Sequence, residues 1–443
     1  MRATDTATNI SGSKSINIAL KSLPNEWKRL RLRFAFEFTK GITITKENLK
    51  DEGIFCLNYG EIHSKYPFEC NPDIHPLRCV DKEYMNSSPN SKLRYGDYIF
   101  ADTSEDIEGS GNFSCFTGKV ATMAGYHTVI ARSRTKENFR FYAYLFDSVT
   151  FRNQIRFRVK GVKVYSITQS ILKEPYLWIP PKSEQSAIAN FLDDKSVKID
   201  QAITQKEMMI ELLQERKQII IQNAVTKGLD SKVKMKDSGV DWIGEIPKHW
   251  KVKRLKYILK ERNERSVTGE EELFMMSQIH GLVVRADFHS KAQVAESSIG
   301  NKLVYKNDLV FNKLKAHLGV FFKSKIDKVG SVSPDYAIYK PYRFIEDLEL
   351  LEILFRHPMY IEQFIKKATG IVEGLIRLYT EDLFDLYVPI PPKEEQIEIL
   401  NSISISKKKV KKCIDGLNSQ IDKLKEYKIT LIDHAVTGKI KIS

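Results

Sequence analysis

The stretch IPPKSEQ at Ile179–Gln185 returns as IPPKEEQ at Ile390–Gln396, 211 positions later (390 − 179). Sliding the chain by 211 aligns 179–228 with 390–439 without a gap, and 18 of those 50 positions are identical. The shared positions include Asn190/Asn401, Leu213/Leu424, Glu215/Glu426, Lys217/Lys428 and the closing Ala-Val-Thr at 224–226 and 435–437. A second echo lies upstream. LPNEWKRLRL begins at Leu23 and IPKHWKVKRL at Ile246, at an offset of 223, so the first inter-motif segment is 12 residues longer (223 − 211). Repetition at this length means duplicated domains rather than a short-period solenoid.

Proline fixes φ and has no N–H to satisfy, so Pro-Pro suits the entry to a helix. Glu184, and Glu394 with Glu395, place negative charge in the first turn, where it favours the helix dipole. A short helix is expected to about Leu192, with breaks at DDKS (193–196) and SISIS (402–406). A long helix of about 30 residues follows, about 45 Å at 1.5 Å per residue. In the second copy Val410, Ile414, Leu417, Ile421, Leu424, Leu431 and Ala435 recur at alternating spacings of four and three, interrupted by Lys428. In the first copy Ile199, Ile203, Ile210, Leu213, Ile220 and Ala224 fall on the same grid, interrupted by Lys206 and Lys217. Such spacing is a coiled-coil seam. Two matching seams favour mutual pairing over two separate amphipathic helices on globular cores. Related halves that pair are usually related by a two-fold axis. Antiparallel packing would then place two heads at opposite ends of a rod longer than one turn of B-DNA, about 34–36 Å.

The expected fold class is therefore α+β: two mixed α/β domains joined by an antiparallel helical coiled coil, with internal pseudo-two-fold symmetry. The expected boundaries are a flexible tail over 1–20, a first head over 21–178, a first helical spacer over 179–228, a linker over 229–245, a second head over 246–388 and a second spacer over 389–443. Both heads show the same order. A strand with an acidic turn (LRYGDYIFA at 93–101, LVYKNDLVFNKLK at 303–315) precedes another strand (HTVIARS at 127–133, SPDYAIYK at 333–340). A helix, a glycine-containing basic loop and a last strand into Pro-Pro follow. IPPK-x-EQ reads as a hinge between head and spacer.

The chain of 443 residues has 70 Lys+Arg against 56 Asp+Glu, a formal charge of +14. That suits a polyanionic partner, because cations that neutralise phosphates release counterions. No stretch reaches the roughly 18–20 apolar residues of a membrane span, and the polar N-terminus lacks an apolar signal core. The expected location is the cytoplasm. The five cysteines include no C-x-x-C pair and read as reduced thiols. Cys56, His63, Cys70, His75 and Cys79 fall within 24 residues, but the tight pairs of a zinc site are missing and no metal is expected.

Candidate DNA contacts are basic residues on strands and loops of the heads: Arg132, Arg134, Lys136, Lys160 and Lys163 in the first, and Lys313, Lys315, Lys366, Lys367 and Arg377 in the second. Arginine and lysine both position on phosphates and read base edges, so residue type alone does not separate the two. No catalytic constellation emerges. SPDY (333–336) superficially resembles an amino-methyltransferase box, which needs a second proline where Asp335 stands. GSGNF (109–113) is too short for a cofactor loop, and TGKV (117–120) lacks the flanks of a phosphate loop. The two Glu-x-Lys strings (215–217, 426–428) sit on the repeated helices, without the paired carboxylate that a metal-dependent nuclease needs. The expectation is a chain without catalysis or a cofactor of its own.

From Leu23 onward the chain resembles the specificity subunits of type I restriction–modification systems. IPPKSEQ with the helix to AVTKG (224–228), IPPKEEQ with the helix to AVTGK (435–439), and DWIGEIPKHW (241–250) carry the resemblance. It implies that each head is a target-recognition domain reading one part of a split site in double-stranded DNA. It implies helices that set the gap and dock two modification subunits. Those partners would use S-adenosylmethionine to methylate adenine, and restriction subunits would add ATP- and Mg-dependent translocation and cleavage. The dissimilar heads imply an asymmetric site. HTVIARS departs from the fuller VSPDYAI pattern of the second head. The rival readings are a specificity subunit whose single partner both methylates and cuts, a coiled-coil scaffold without a DNA role, and a self-contained methyltransferase, which would bind S-adenosylmethionine by itself.

Overall fold

The computed structural model describes residues 23–135, 137–161, 163–288, 298–369 and 377–442. The tail expected at 1–20 therefore lies outside the described residues. Two compact units divide the chain. One comprises the chain up to Lys206 together with Asn418 onward; the other is Glu207–Leu417. Both divisions fall inside long helices, α1 (Lys182–Lys227) and α2 (Lys393–Val436).

These helices correct one expectation. α1 runs for 46 residues and α2 for 44, with no break at DDKS or SISIS. At 1.5 Å per residue each spans about 65–70 Å. Serine and aspartate weaken a helix by only tenths of a kcal/mol each, whereas burial on that turn ties it down. Leu192 and Ile403 are 0% and 2% exposed.

In the first unit the domain is built on an antiparallel sheet in the order Phe36–Lys40, Thr128–Ser133, Tyr98–Ala101, Phe113–Phe116, with Phe68–Cys70 added in parallel at the edge. Two helices, Phe139–Asp147 and Val149–Arg156, cover one face. Their spacing aims Phe141, Tyr142, Phe146 and Phe151 at Phe36, Tyr98 and Phe113, and all seven rings are buried. In the second unit the corresponding sheet runs Leu259–Glu261, Tyr336–Pro341, Leu309–Asn312, Phe321–Lys323, again antiparallel. Glu349–Leu354 and Pro358–Lys367 take the place of the covering helices, and Phe311 and Phe321 stack with centroids 4.1 Å apart.

Both echoes found in the sequence are structural joints. Lys28–Arg31 pairs antiparallel with Tyr176–Ile179, Lys28 opposite Ile179, and Lys251–Arg254 pairs with Tyr387–Ile390, Lys251 opposite Ile390. The strand that precedes each head thus closes on the strand that leaves it for Pro-Pro. Glu184 accepts the Trp27 indole N–H at 3.0 Å, and Glu395 accepts that of Trp250 at 2.9 Å. Gln185 donates to the Pro180 carbonyl at 3.0 Å and accepts from the Asn138 N–H at 3.1 Å. Gln396 donates to the Pro391 carbonyl at 2.9 Å and accepts from the Glu346 N–H at 3.0 Å. Each glutamine is 1% exposed. With both polar atoms of each buried amide satisfied, IPPK-x-EQ is a clamp rather than the hinge expected from sequence.

The helices run antiparallel within each unit. In the first, Lys428 Nζ meets Asp200 at 2.7 Å and Lys206 Nζ meets Gln420 at 2.7 Å, so positions rise on one helix as they fall on the other. In the second, Ile221, Ala224 and Val225 of α1 share a core with Ile399 and Ile403 of α2. The expected seam residues are sheltered, with one exception: Ile220 is 37% exposed, and Ile221 beside it is buried at 7%. Ile432, which aligns with Ile221, is likewise buried at 3%. The helix turns its apolar face by one position where it reaches a head. The lysine interruptions are half-buried on the seam side, and Lys206 and Lys428 bridge to the other helix.

The end of each long helix packs where a head begins. A Cβ on Gly438 (φ +68°) would come within 2.6 Å of the Pro24 ring, and Val436 accepts the Trp178 indole N–H. Gly228 (φ +80°) sits against Trp250 and Glu395. Both glycines hold the left-handed conformation that ends a helix without the strain of a Cβ.

Candidate nucleic-acid interface

The acidic turn of each head is a buried anchor. Asp97 and Asp308, again 211 apart, are each 2% exposed. Each accepts the backbone N–H three residues earlier, from Arg94 at 2.8 Å and Tyr305 at 2.9 Å. Each also meets an arginine. Arg132 grips Asp97 through two bonds of 2.9 and 2.7 Å and donates to the Lys92 carbonyl. Arg262 meets Asp308 at 2.9 Å. The bond to Asp97 holds the Arg132 guanidinium above its ordinary pKa, and burial raises the Asp308 carboxyl. Withdrawing Arg132 to reach DNA would strand a buried carboxylate, which costs several kcal/mol. It is thus committed to the fold, whereas sequence alone offered it as a contact.

The other candidates differ in freedom. Arg134 lies 3.6 Å from Glu37 with about half its side chain exposed. Lys136 lies outside the described residues. Lys160 and Lys163 are exposed on a tight loop. Lys160 bridges Ser166 there, and a Cβ on Gly161 would meet the Val164 carbonyl at 2.2 Å.

In the second head Arg377 donates to Asp335 at 2.8 Å, its backbone pairs with Thr369, and the next N–H, of Leu378, donates to the Lys313 carbonyl at 3.1 Å. The structure therefore brings Arg377, Asp335 and the Lys313 backbone together at one end of the sheet. Lys315 is exposed, on a kink in the short helix Lys313–Leu318. Lys366 pairs with Glu362 at 2.6 Å on its own helix, and Lys367 is half-buried next to it. Asp335, which spoiled a methyltransferase-like box in sequence, holds an arginine instead.

Sequence reasoning missed a cleft of about 860 Å³ in the first head. Tyr59, His63 and His127 form one wall, Arg152 and Arg156 another, and the loop with Glu105, Asp106 and Glu108 its lip. His63 bonds the Thr103 carbonyl at 2.8 Å and the Asn112 amide at 2.9 Å, and His127 lies 3.1 Å from Asp102. These residues come from four separate stretches with no periodic signal, so only the fold assembles them. The cysteines near His63 fill cores. Burial pushes the thiols of Cys56 and Cys70 up to about 12, so they stay protonated at neutral pH, and His75 stacks on Tyr66. Among the described residues no group of three or more His, Cys, Asp or Glu is placed to hold a metal ion, and no helix is long and apolar enough to cross a membrane.

Residues 24–211 match the family described as the type I restriction modification DNA specificity domain. The putative type I restriction enzyme MjaX specificity subunit of Methanocaldococcus jannaschii is 22% identical, with 95% of each chain covered. The EcoKI specificity subunit of Escherichia coli is 25% identical over 59% of this chain and 57% of its own. In fold, the chain is similar to the HsdS subunit of Thermoanaerobacter tengcongensis (TM-score 0.54, 16% identity, 94% and 98% covered). It is also similar to a chain solved in a study of complex assembly and conformational transition of the type I R-M system (TM-score 0.64, 16% identity, 94% and 99% covered). The matched domain begins at the Pro24–Trp27 joint and runs past the first clamp into α1. Residues 24–211 thus match the type I restriction modification DNA specificity domain, and along most of its length the chain is similar to proteins named as type I restriction enzyme specificity subunits.

Proposed function

We propose that the chain reads a split, asymmetric site in double-stranded DNA, one part with each head. The observation that carries this reading is the duplicated joint: the same strand pair, Trp–Glu bond and glutamine clamp hold two heads of different sequence. A frame that is preserved while its cargo diverges suits a protein whose cargo sets specificity. In this reading the long helices act as an antiparallel coiled coil that fixes the unread gap. Their outward faces dock two modification subunits, and through these the restriction subunits. Met208, Leu212 and Ile219 lie on one exposed face of α1 and supply apolar surface for such docking.

In the second head Arg377, steered by Asp335, is the leading candidate for base contact, with Lys313, Lys315, Lys366 and Lys367 on phosphates. In the first, Arg134, Lys160 and Lys163 take the phosphate role. Arginine suits base reading because its fork matches the two acceptors of guanine. The partners would supply S-adenosylmethionine, ATP and Mg chemistry.

The test is to map methylated adenines in DNA from cells that express this chain with its modification partner. A bipartite motif with an unread gap is expected. A short continuous motif overturns the reading.

A further inference from the structure

The two long helices share a register but not an outward surface. Facing away from the seam, α1 carries Val197, Lys198 and Gln201 where α2 carries Lys408, Lys409 and Lys412. Val197 is 55% exposed, and Lys198 is already paired with Asp194 at 2.7 Å. In α2 the run is KKKVKK over 407–412, all five lysines exposed.

Their neighbours sort them. Lys407 lies near Glu349 and Glu352 of the second head. Lys411 reaches Asp415 at 3.6 Å. Among the described residues no carboxylate lies within 4.0 Å of Lys408, Lys409 or Lys412. Lys408 and Lys412 stand one turn apart on one face, about 6 Å along the axis, and Lys409 flanks them. Three exposed cations on adjacent turns repel one another, so the helix tolerates them at a cost of tenths of a kcal/mol per pair. A role common to both repeats, such as the seam or the clamp, does not call for the stripe, because the first copy has Val197 and Gln201 at two of the three positions and its Lys198 at the third is paired with Asp194.

We propose that Lys408, Lys409 and Lys412 form a phosphate-binding stripe that holds duplex DNA independently of sequence, on the second helix alone. The commitment to DNA rests on the reading above and on charge complementarity. B-DNA presents a negative charge about every 1.7 Å of its axis, and each phosphate neutralised releases counterions. Contacts of this kind fix register on the duplex and carry no base information. The stripe would thus add affinity common to cognate and unrelated duplexes and leave the choice of bases to the heads.

The test replaces all three residues with glutamine, Lys408→Gln, Lys409→Gln and Lys412→Gln, which keeps helix propensity nearly constant. The full chain, assembled with its modification partner, is titrated with a duplex carrying the mapped site and with a scrambled duplex, over a range of salt concentrations. Each lost phosphate contact reduces the slope of log K against log salt by about 0.9, so a decrease of about 2–3 is expected on both duplexes. Far-ultraviolet dichroism and the yield of assembled complex should match the parent. An unchanged slope on both duplexes, with the parent still salt-sensitive, overturns the stripe and leaves the reading of the heads intact. A parent that binds neither duplex in a salt-sensitive way overturns both. A variant that keeps the slope but assembles poorly assigns the lysines to an acidic protein surface and overturns the DNA assignment.

Discussion

The two head joints and the two heads make opposite use of the same repeat. At the joints, equivalent positions form equivalent bonds: Glu184 and Glu395 each take a tryptophan N–H, and Gln185 and Gln396 each close on the proline two residues before the helix. Inside the heads only the anchor is shared. Asp97 and Asp308 sit at the same offset just before the equivalent strands Tyr98–Ala101 and Leu309–Asn312, yet Arg132 comes from the neighbouring strand Thr128–Ser133 and Arg262 from just beyond the edge strand Leu259–Glu261. Identity at a fixed offset therefore marks what holds the protein together, and loss of identity marks the surfaces free to specialise.

Breaking a joint should have the largest effect. Trp250 is fully buried, so Trp250→Ala should cost about 3–5 kcal/mol in chemical denaturation of the second unit. Trp27→Ala should do the same to the first, and a loss below about 1 kcal/mol in one joint but not the other would show that the joints are not equivalent. Gln396→Ala follows. It leaves the Glu346 N–H and the Phe344 and Pro391 carbonyls without their partner, for about 2–3 kcal/mol, near the upper end for unsatisfied buried groups. Gln185→Ala should match it, and a difference of more than about 1 kcal/mol would separate the clamps.

On the side of the heads, Arg377→Ala should weaken binding to the mapped site by about 1–2 kcal/mol and relax preference at one position in one half-site only. Equal weakening on scrambled DNA would move Arg377 to the phosphates. The smallest effect is a pH dependence confined to the second unit. Burial raises the Glu352 carboxyl above its ordinary value, against the opposing bond from the Lys323 N–H and the charge of Arg356. A raised carboxyl stabilises the fold below the unfolded pKa, and that contribution is lost as pH rises through the folded one. Glu352→Gln keeps the bond from Lys323 without the charge. Its stability relative to the parent should therefore grow from about pH 4.5 upward until the folded carboxyl has ionised, as read by urea titrations. A constant difference across that range would refute the assignment.

Much of this was legible in the residues. The joints were visible because proline, tryptophan and an acid at the start of a helix each have a local physical reason to recur. The apolar stripe along each long helix is legible as a period of alternating fours and threes. The periodic grid nevertheless chose Ile220, whereas identity at the 211 offset singles out Ile221 and Ile432, the positions that are buried. The helices run through DDKS and SISIS, where breaks are expected from propensity, because burial of Leu192 and Ile403 outweighs it. Arg132 looked like any other basic residue on a strand. Only the burial of Asp97, 35 positions away, makes it structural. The cleft around His63 and His127 draws on segments about 100 residues apart, and no pattern in the sequence joins them.

The central claim is that one frame holds two readers that specify DNA independently. Exchanging 23–178 for the corresponding head of a related chain, with both joints kept, and mapping methylated adenines with the modification partner tests it most directly. A new motif in one half of the site is expected, with the other half and the gap unchanged. A change in both halves, or in the gap, would contradict it.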